Sequence, residues 1–164
     1  MLKLAWEPGY DRFYNEAKTM ARKHWDEVGS HKEILDFNPD HNRYRALERA
    51  DVLKILCARV DGKLIGYLLV LTMMHPRDIE ASTASDDSIY VDPAYRKLMV
   101  GPKMIRMALK LFEDMGINLV FLRLRVWREQ SDADMRRLGF EPHEVVYAKV
   151  LNRTKGVRRE SIAV

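Results

Sequence analysis

Asp61-Gly62, set between two runs rich in Val, Ile and Leu, constrains the fold of this chain more than any other pair of residues in it. A two-residue hairpin of type I′ needs positive φ at both central positions, and Asp-Gly is a pair that supplies it. Leu53 to Val60 and Lys63 to Met73 are therefore read as the two arms of a hairpin. Gly66 interrupts the second arm, and a glycine inside a strand marks a bulge or a close backbone approach. Cys57, the single cysteine, falls in the middle of the first arm, so it reads as a buried thiol rather than a nucleophile, and it has no partner for an internal disulfide.

Around this hairpin the spacing of apolar residues supplies the other elements. Phe13, Ala17, Met20, Ala21, His24 and Val28 recur at helical intervals and predict a helix over Tyr10–Val28. Asp40 to Ala50 reads as a second, shorter helix, with Tyr44 and Leu47 on its docking side. A polar loop is expected from His75 to Ala84, then a strand from Ser85 to Val91 that stops at Asp92-Pro93. Met104, Ile105, Ala108, Leu109, Phe112 and Met115 predict a helix over Pro102–Met115, with proline in the first turn and Gly116 past the end. Leu119 to Val126 reads as a strand, Ser131 with Asp134 as the capping box of a short helix ending near Gly139, and Val145 to Leu151 as a last strand. Counting an initial strand, the order is strand, helix, helix, three strands, helix, strand, helix, strand, which is an α/β layered domain with a mixed sheet.

With 164 residues, 47% hydrophobic and 32% charged, one globular core is expected over residues 1–151. A chain of this size needs neither disulfide nor structural metal. The five histidines show no zinc-ligand spacing. Residues 152–164 are basic and poor in apolar groups, and they are expected to form a mobile tail. The start of the chain lacks the apolar run of a signal peptide, and no stretch approaches the ~20 apolar residues of a membrane span, so a soluble, cytoplasmic protein is expected. A net charge of +4 suits an anionic ligand without naming one. Basic residues without interleaved aromatics or a recognition motif do not point to nucleic acid.

The segment from Ile89 to Ile105 is strand, turn, basic loop and helix. A loop that feeds a helix N-terminus offers unpaired N–H groups and the positive end of the helix dipole, which together receive phosphates. Lys97 and Lys103 add charge there; the plain alternative is a solvated basic loop capping an ordinary amphipathic helix.

This segment, with Asp61-Gly62, Gly66-Tyr67, Leu138-Gly139-Phe140 and Val145-Val146-Tyr147-Ala148-Lys149 in the same order, resembles the GNAT N-acetyltransferase family. The resemblance implies a mixed, mostly antiparallel sheet of about six strands flanked by about four helices, and acetyl-CoA as co-substrate. It implies that the amides of Arg96, Lys97, Leu98, Met99, Val100 and Gly101 hold the coenzyme pyrophosphate with Lys103 nearby. It also implies that Ile89, Tyr90 and Val91 pair with the pantetheine arm. His75-Pro76 before the core strand looks like members encoded by tailed bacteriophages. Two departures stand out. Met99 replaces the first glycine of the family loop and Pro102 removes an N–H; Met135 stands where many members place the tyrosine that protonates the leaving thiolate. Ser131, Tyr90 and Tyr147 are the alternatives for that proton, or the thiolate leaves unassisted.

An amine acceptor must lose a proton before it attacks a thioester. Asp87 is the first candidate base, because alternation places it on one strand face with Ile89 and Val91, and Asp86 is the second; Glu80 and His75 follow. Solvated turn aspartates are the bland reading of the pair. Arg123 and Arg125 share a strand face and either bind an acidic acceptor or lie exposed, and Trp127 is a candidate for the acceptor pocket. The acceptor itself is a primary amine of a small molecule or protein, a homodimer is compatible with the sequence, and a GNAT-like module without turnover is the competing reading.

Overall fold

The computed structural model describes residues 1–123 and 129–151. Strands β1 (Leu2–Trp6), β2 (Leu53–Val60), β3 (Lys63–His75), β4 (Asp78–Val91) and β5 (Leu119–Phe121) form one sheet in the order β1-β2-β3-β4-β5. Neighbours run antiparallel except β4 and β5, which are parallel. Helices α1 (Tyr10–Val28) and α2 (His41–Arg49) cover one face, α3 (Val100–Asp114) covers the other, and α4 (Glu129–Arg137) follows β5.

The turn that joins β2 to β3 is the one its sequence requires, with φ of 49° at Asp61 and 83° at Gly62. Gly66 serves both roles expected of a strand glycine. The ladder between β2 and β3 shifts beside it, leaving Ile65 as the extra residue, and a Cβ at Gly66 would stand 2.9 Å from the Tyr90 carbonyl on β4.

Two cores result from a sheet covered on both sides, which is why Ile55 to Ala58 on β2 are buried without alternation. Tyr10, Phe13 and Ala17 of α1 pack against Ile55, Cys57, Tyr67, Leu69 and Tyr90. Val100, Met104, Ala108 and Phe112 of α3 pack against Leu56, Ala58, Ile65, Leu68, Val70 and Val91. Burial also pushes the Cys57 thiol up to about 12, which leaves it protonated and inert as a nucleophile. Helix α1 begins after Gly9 at φ 102° and borrows its cap from α2, where Glu48 Oε1 accepts the N–H groups of Gly9 at 2.7 Å and Tyr10 at 2.8 Å.

Three expectations change. The polar stretch from His75 to Ala84 is not a loop: β3 and β4 continue as a two-stranded arm whose only turn is Pro76-Arg77. An arm exposed on both faces satisfies its backbone in the ladder and needs no apolar pattern, so polarity alone misreads it. The strand expected over Leu119–Val126 is β5, three residues long, with Leu122 and Arg123 irregular and 124–126 outside the described residues. The last expected strand, Val145–Leu151, finds no ladder among the described residues and stands exposed. Strand propensity alone, without a ladder partner, makes no strand. Helix α4 starts at Glu129, two residues before the expected Ser131 cap, and ends at Arg137, near the expected Gly139, which turns the chain at φ 87°. The tail, 152–164, lies outside the described residues.

Candidate functional site

Strand β4 serves two masters along its length. Thr83, Ala84 and Ser85 pair with Leu119, Val120 and Phe121 of β5, and from Asp86 to Val91 the side of β4 that faces β5 carries no strand partner among the described residues. The cause is one extra residue. In the β3 ladder Val70 pairs with Asp86 and Leu69 with Ser88, so Asp87 bulges out just past the last β5 rung. A bulge bends its strand and increases the local twist, which swings the second half of β4 away from β5.

The bulge also corrects the expected grouping of side chains. Asp86, not Asp87, shares the α3 face with Ile89 and Val91, and Asp87 turns to the opposite face. Asp86 is 8% exposed, and its Oδ1 accepts the Arg123 N–H at 2.9 Å while Arg123 Nη1 donates to the Asp86 carbonyl at 2.7 Å. These bonds close the fork where β4 and β5 part. Burial raises the Asp86 carboxyl above its usual range, against the opposing pull of the Arg123 N–H and guanidinium. A cavity of about 10 Å³ lies beside it, lined otherwise by apolar side chains, among them Val70, Ile105, Phe112, Val120 and Phe140. Arg123 is mostly exposed, as one of its two readings had it, yet its backbone and one nitrogen are committed to Asp86.

Asp87 faces α2, where Tyr44 Oη donates to its Oδ2 at 2.8 Å. Around it lies an aromatic cluster that periodicity alone does not reveal. Tyr10 stacks on Tyr44 at 4.9 Å, and its hydroxyl pairs with His41 Nδ1 at 2.9 Å. His24 Nδ1 pairs with Tyr67 Oη at 2.9 Å and stacks on Tyr90 at 4.8 Å. Burial pushes the Tyr10 hydroxyl up to about 12 and the Tyr44 hydroxyl higher still, with the Asp87 charge adding to the latter. The tyrosines are thus donors, not phenolates, at neutral pH. The one sequence signal for this cluster is the pair Tyr10 and Tyr14, four apart on α1 and so on one side of it.

Past Val91 the chain makes an Asx-capped turn, Asp92 Oδ1 accepting the Ala94 N–H at 3.0 Å, and a 3₁₀ turn over Pro93–Leu98. Met99 then adopts left-handed φ 55°, ψ 36°, and α3 begins. A left-handed conformation at this position is what glycine adopts without cost, so methionine keeps the turn while paying about 1–2 kcal/mol for it. In the first turn of α3 the N–H groups of Val100 and Gly101 have no intrahelical acceptor, Pro102 has no N–H, and Lys103 N–H closes on the Met99 carbonyl at 3.2 Å. Space above Gly101 is open, since a Cβ there would meet nothing within 4 Å. Two free amides at the positive end of a helix, with open space before them, fit a phosphate group.

The basic side chains of this loop are used differently from one another. Lys103 Nζ folds back onto the Leu98 carbonyl at 3.0 Å and Lys97 is exposed. Arg96 points away from the helix end: Nε donates to the Val91 carbonyl at 3.0 Å, Nη2 to Glu27 Oε2 on α1 at 2.5 Å, and the guanidinium lies 5.4 Å over the Tyr90 ring. Arg96 therefore ties the loop to the end of β4 and to α1.

The remaining candidates are dispersed. His75 sits at the tip of the β3–β4 arm, five residues along β3 from the partner of Asp86 and so about 16 Å away, and Glu80 lies on the same arm. Tyr147 is exposed, and Met135 lies in α4. The side chain of Ser131, and Arg125 and Trp127 entirely, lie outside the described residues.

The sheet thus forks between β4 and β5, and the end of β4 leads to two free amides at the N-terminus of α3. Residues 10–140 match the family described as acetyltransferase (GNAT), and the chain belongs to that family. Similar solved structures include an aminoglycoside acetyltransferase from an uncultured soil metagenomic sample in complex with sisomicin. It has 15% identity and a TM-score of 0.71, over 92% of this chain and 97% of that one. A ribosomal-protein-alanine N-acetyltransferase from Brucella melitensis biovar Abortus 2308 aligns at 16% identity and TM-score 0.69, over 93% and 100%. Glucosamine-6-phosphate N-acetyltransferase from Arabidopsis thaliana aligns at 15% identity and TM-score 0.68, over 93% and 99%. At these identities the likeness shows the fold. No curated protein sequence matches the chain significantly. Among the described residues no helix is long and apolar enough to cross a membrane.

Proposed function

We propose that this chain is an N-acetyltransferase that moves acetyl from acetyl-CoA to a primary amine of a small molecule or protein by direct attack, in the cytoplasm, of the kind encoded by tailed bacteriophages. The observation that carries this reading is the unladdered half of β4, Asp86 to Val91, leading straight into the free amides of Val100 and Gly101. That arrangement gives one extended ligand both a strand edge and a phosphate site. Val100 and Gly101 N–H groups hold the pyrophosphate, with Lys97 and Lys103 close by and Leu98 and Met99 shaping the turn. Ile89, Tyr90 and Val91 offer backbone groups to the pantetheine arm. Bound acetyl-CoA supplies an activated thioester.

The chain's own residues then handle protons. Asp86, buried and raised, is suited to hold a proton taken from the amine; Asp87, held by Tyr44 on the opposite face, is suited to receive the incoming ammonium. Asp86 and Asp87 thus remain the two candidate bases, on separate faces. The N–H groups between Ile89 and Val91 are the donors available to a developing oxyanion.

Titration calorimetry with acetyl-CoA tests the site, and release of free thiol in the presence of a panel of amines tests turnover. Gly101→Glu places bulk and negative charge in the open space before the helix and is expected to abolish both heat and thermal shift. No heat from the wild-type chain at millimolar acetyl-CoA sinks the proposal. A second reading, a GNAT-like module that binds coenzyme without turnover, is favoured by Met135, which cannot donate a proton, and by the missing Pro102 amide. Coenzyme binding with no thiol release from any amine, or by hydrolysis, selects it.

A further inference from the structure

Helix α3 carries its charge against its own dipole. A helix favours acids in its first turn and bases in its last, because the N-terminus is the positive end. In α3 the first turn holds no acid and the last holds no base. Lys103, Arg106 and Lys110 are exposed along it, Lys97 is exposed in the turn before it, and Glu113 and Asp114 close its C-terminus. None of the four cations has an ion-pair partner among the described residues, and Lys103 Nζ meets the Leu98 carbonyl instead. Spacings of three and four residues put Lys103, Arg106 and Lys110 in one stripe, turned outward from the buried Met104 and Ala108. Leu98 and Met99, 48% and 52% exposed, stand at the head of that stripe. Exposed cations alone make an ordinary solvated face, but cations at the positive end and acids at the negative end cost the helix stability. A local rule broken in this way marks a functional surface.

We infer that the outer face of α3 docks an acidic carrier protein that presents the acyl thioester on a phosphopantetheine arm, as a second donor beside free acetyl-CoA. Arm and thioester enter the same fork along β4, so this donor rests on the proposed function. Charge complementarity names the partner. Arg106 and Lys110 stand five and nine residues past Gly101, about 7.5 and 13.5 Å along the axis, leading away from the amides of Val100 and Gly101. A cationic stripe of that length matches an acidic helix rather than one small anion. The amides agree with it. With Pro102 contributing none, Val100 and Gly101 offer two, which suit the single phosphate of such an arm, where the free coenzyme brings a pyrophosphate. Leu98 and Met99 lie where the arm would leave its carrier and supply the apolar part of the contact. Transfer keeps the chemistry of the coenzyme reaction. The amine nitrogen bonds to the acyl carbon and the C–S bond breaks; of the two protons that the ammonium loses, one ends on the carrier's thiol and one in solvent.

Titration calorimetry of the full chain against three probes reads the outcome: acetyl-CoA, an acidic acyl carrier protein loaded with acetyl-phosphopantetheine, and the same carrier without its arm. The loaded carrier is expected to bind, and the armless one at least about tenfold more weakly. Arg106→Glu with Lys110→Glu, both at exposed positions outside the coenzyme contacts, is expected to weaken the loaded carrier at least about tenfold and to leave acetyl-CoA within about twofold. Melting temperatures check that the variant folds, and Arg106→Gln with Lys110→Gln should fall between it and the wild type. A chain that binds acetyl-CoA but not the loaded carrier overturns this inference and leaves the proposed function standing; a chain that binds neither loses both. Equal losses for acetyl-CoA and carrier in the charge-reversed variant also overturn it, because the stripe then serves the coenzyme's own phosphates. So does binding of the carrier that does not need the arm, since the face then has no part in delivering a thioester.

Discussion

Glu27→Gln separates two roles open to Arg96, and the sign of its effect decides between them. In the structure the Arg96 guanidinium is tied to Glu27 and to the Val91 carbonyl, so it holds the loop in shape rather than facing the phosphate site. The Glu27–Arg96 contact is 2.5 Å long, with side chains 29% and 41% exposed. Solvent screening puts such a pair nearer about 1 kcal/mol than the several kcal/mol of a buried one. If that energy preserves the loop shape that binds coenzyme, its loss weakens Kd about fivefold. Arg96→Ala also removes the bond to the Val91 carbonyl, roughly another 1 kcal/mol, so about a thirtyfold loss is expected. In the Arg96→Ala background Glu27→Gln should add nothing, because the pair acts as a unit. Calorimetry with acetyl-CoA on the four proteins gives the cycle, with melting temperatures as the control for folding. Were Arg96 a phosphate ligand restrained by Glu27, Glu27→Gln would free it and binding would tighten. Tighter binding, or additive losses in the cycle, refutes the tether.

Two further outcomes concern the acids and the turn. Because the folded-state pKa of Asp86 lies above its ordinary 3.8, the stability linked to this group is full below that value and is lost as pH rises through the raised folded value. Asp86→Asn is therefore expected to match or exceed the wild-type melting temperature at neutral pH, with a flatter pH dependence. If Asp86 is the base, its turnover falls at least about a hundredfold with coenzyme affinity intact; Asp87→Asn is the parallel variant, and wild-type turnover in both removes the base assignment. Met99→Gly relieves the left-handed strain against a larger unfolded-state entropy, a net gain of about 0.5–1 kcal/mol by urea denaturation with coenzyme binding no weaker. A loss of stability would show that the Met99 side chain contributes packing worth more than the strain.

What could be read from the sequence was whatever depends on neighbours along the chain. The Asp61-Gly62 turn, the apolar stripe of α3 and the strand-loop-helix passage at Ile89–Ile105 each announce themselves within a few residues. The faces of Asp86 and Asp87 did not, because period-two alternation assumes an unbroken ladder and the bulge is decided by how β4 meets Leu69 and Val70 on β3. The same holds for the β3–β4 arm, whose polar residues look like a loop until a partner strand satisfies their backbone. Arg96 lies in the turn before α3, where its sequence position puts it, but its direction depends on Glu27, sixty-nine residues away in sequence. The tyrosines around Asp87 come from α1, α2, β3 and β4, and only packing brings them together.

The bulge at Asp87 is an insertion that the sheet would do better without. Were that one residue removed, Asp86 and Ser88 would follow each other against Val70 and Leu69, the ladder would run unbroken, and every downstream side chain would keep its face. A strand that could be healed so easily, yet is not, gives up regularity at the one point where β4 parts from β5. The irregularity acts as a hinge pin: it lets a single strand be wall at one end and doorway at the other.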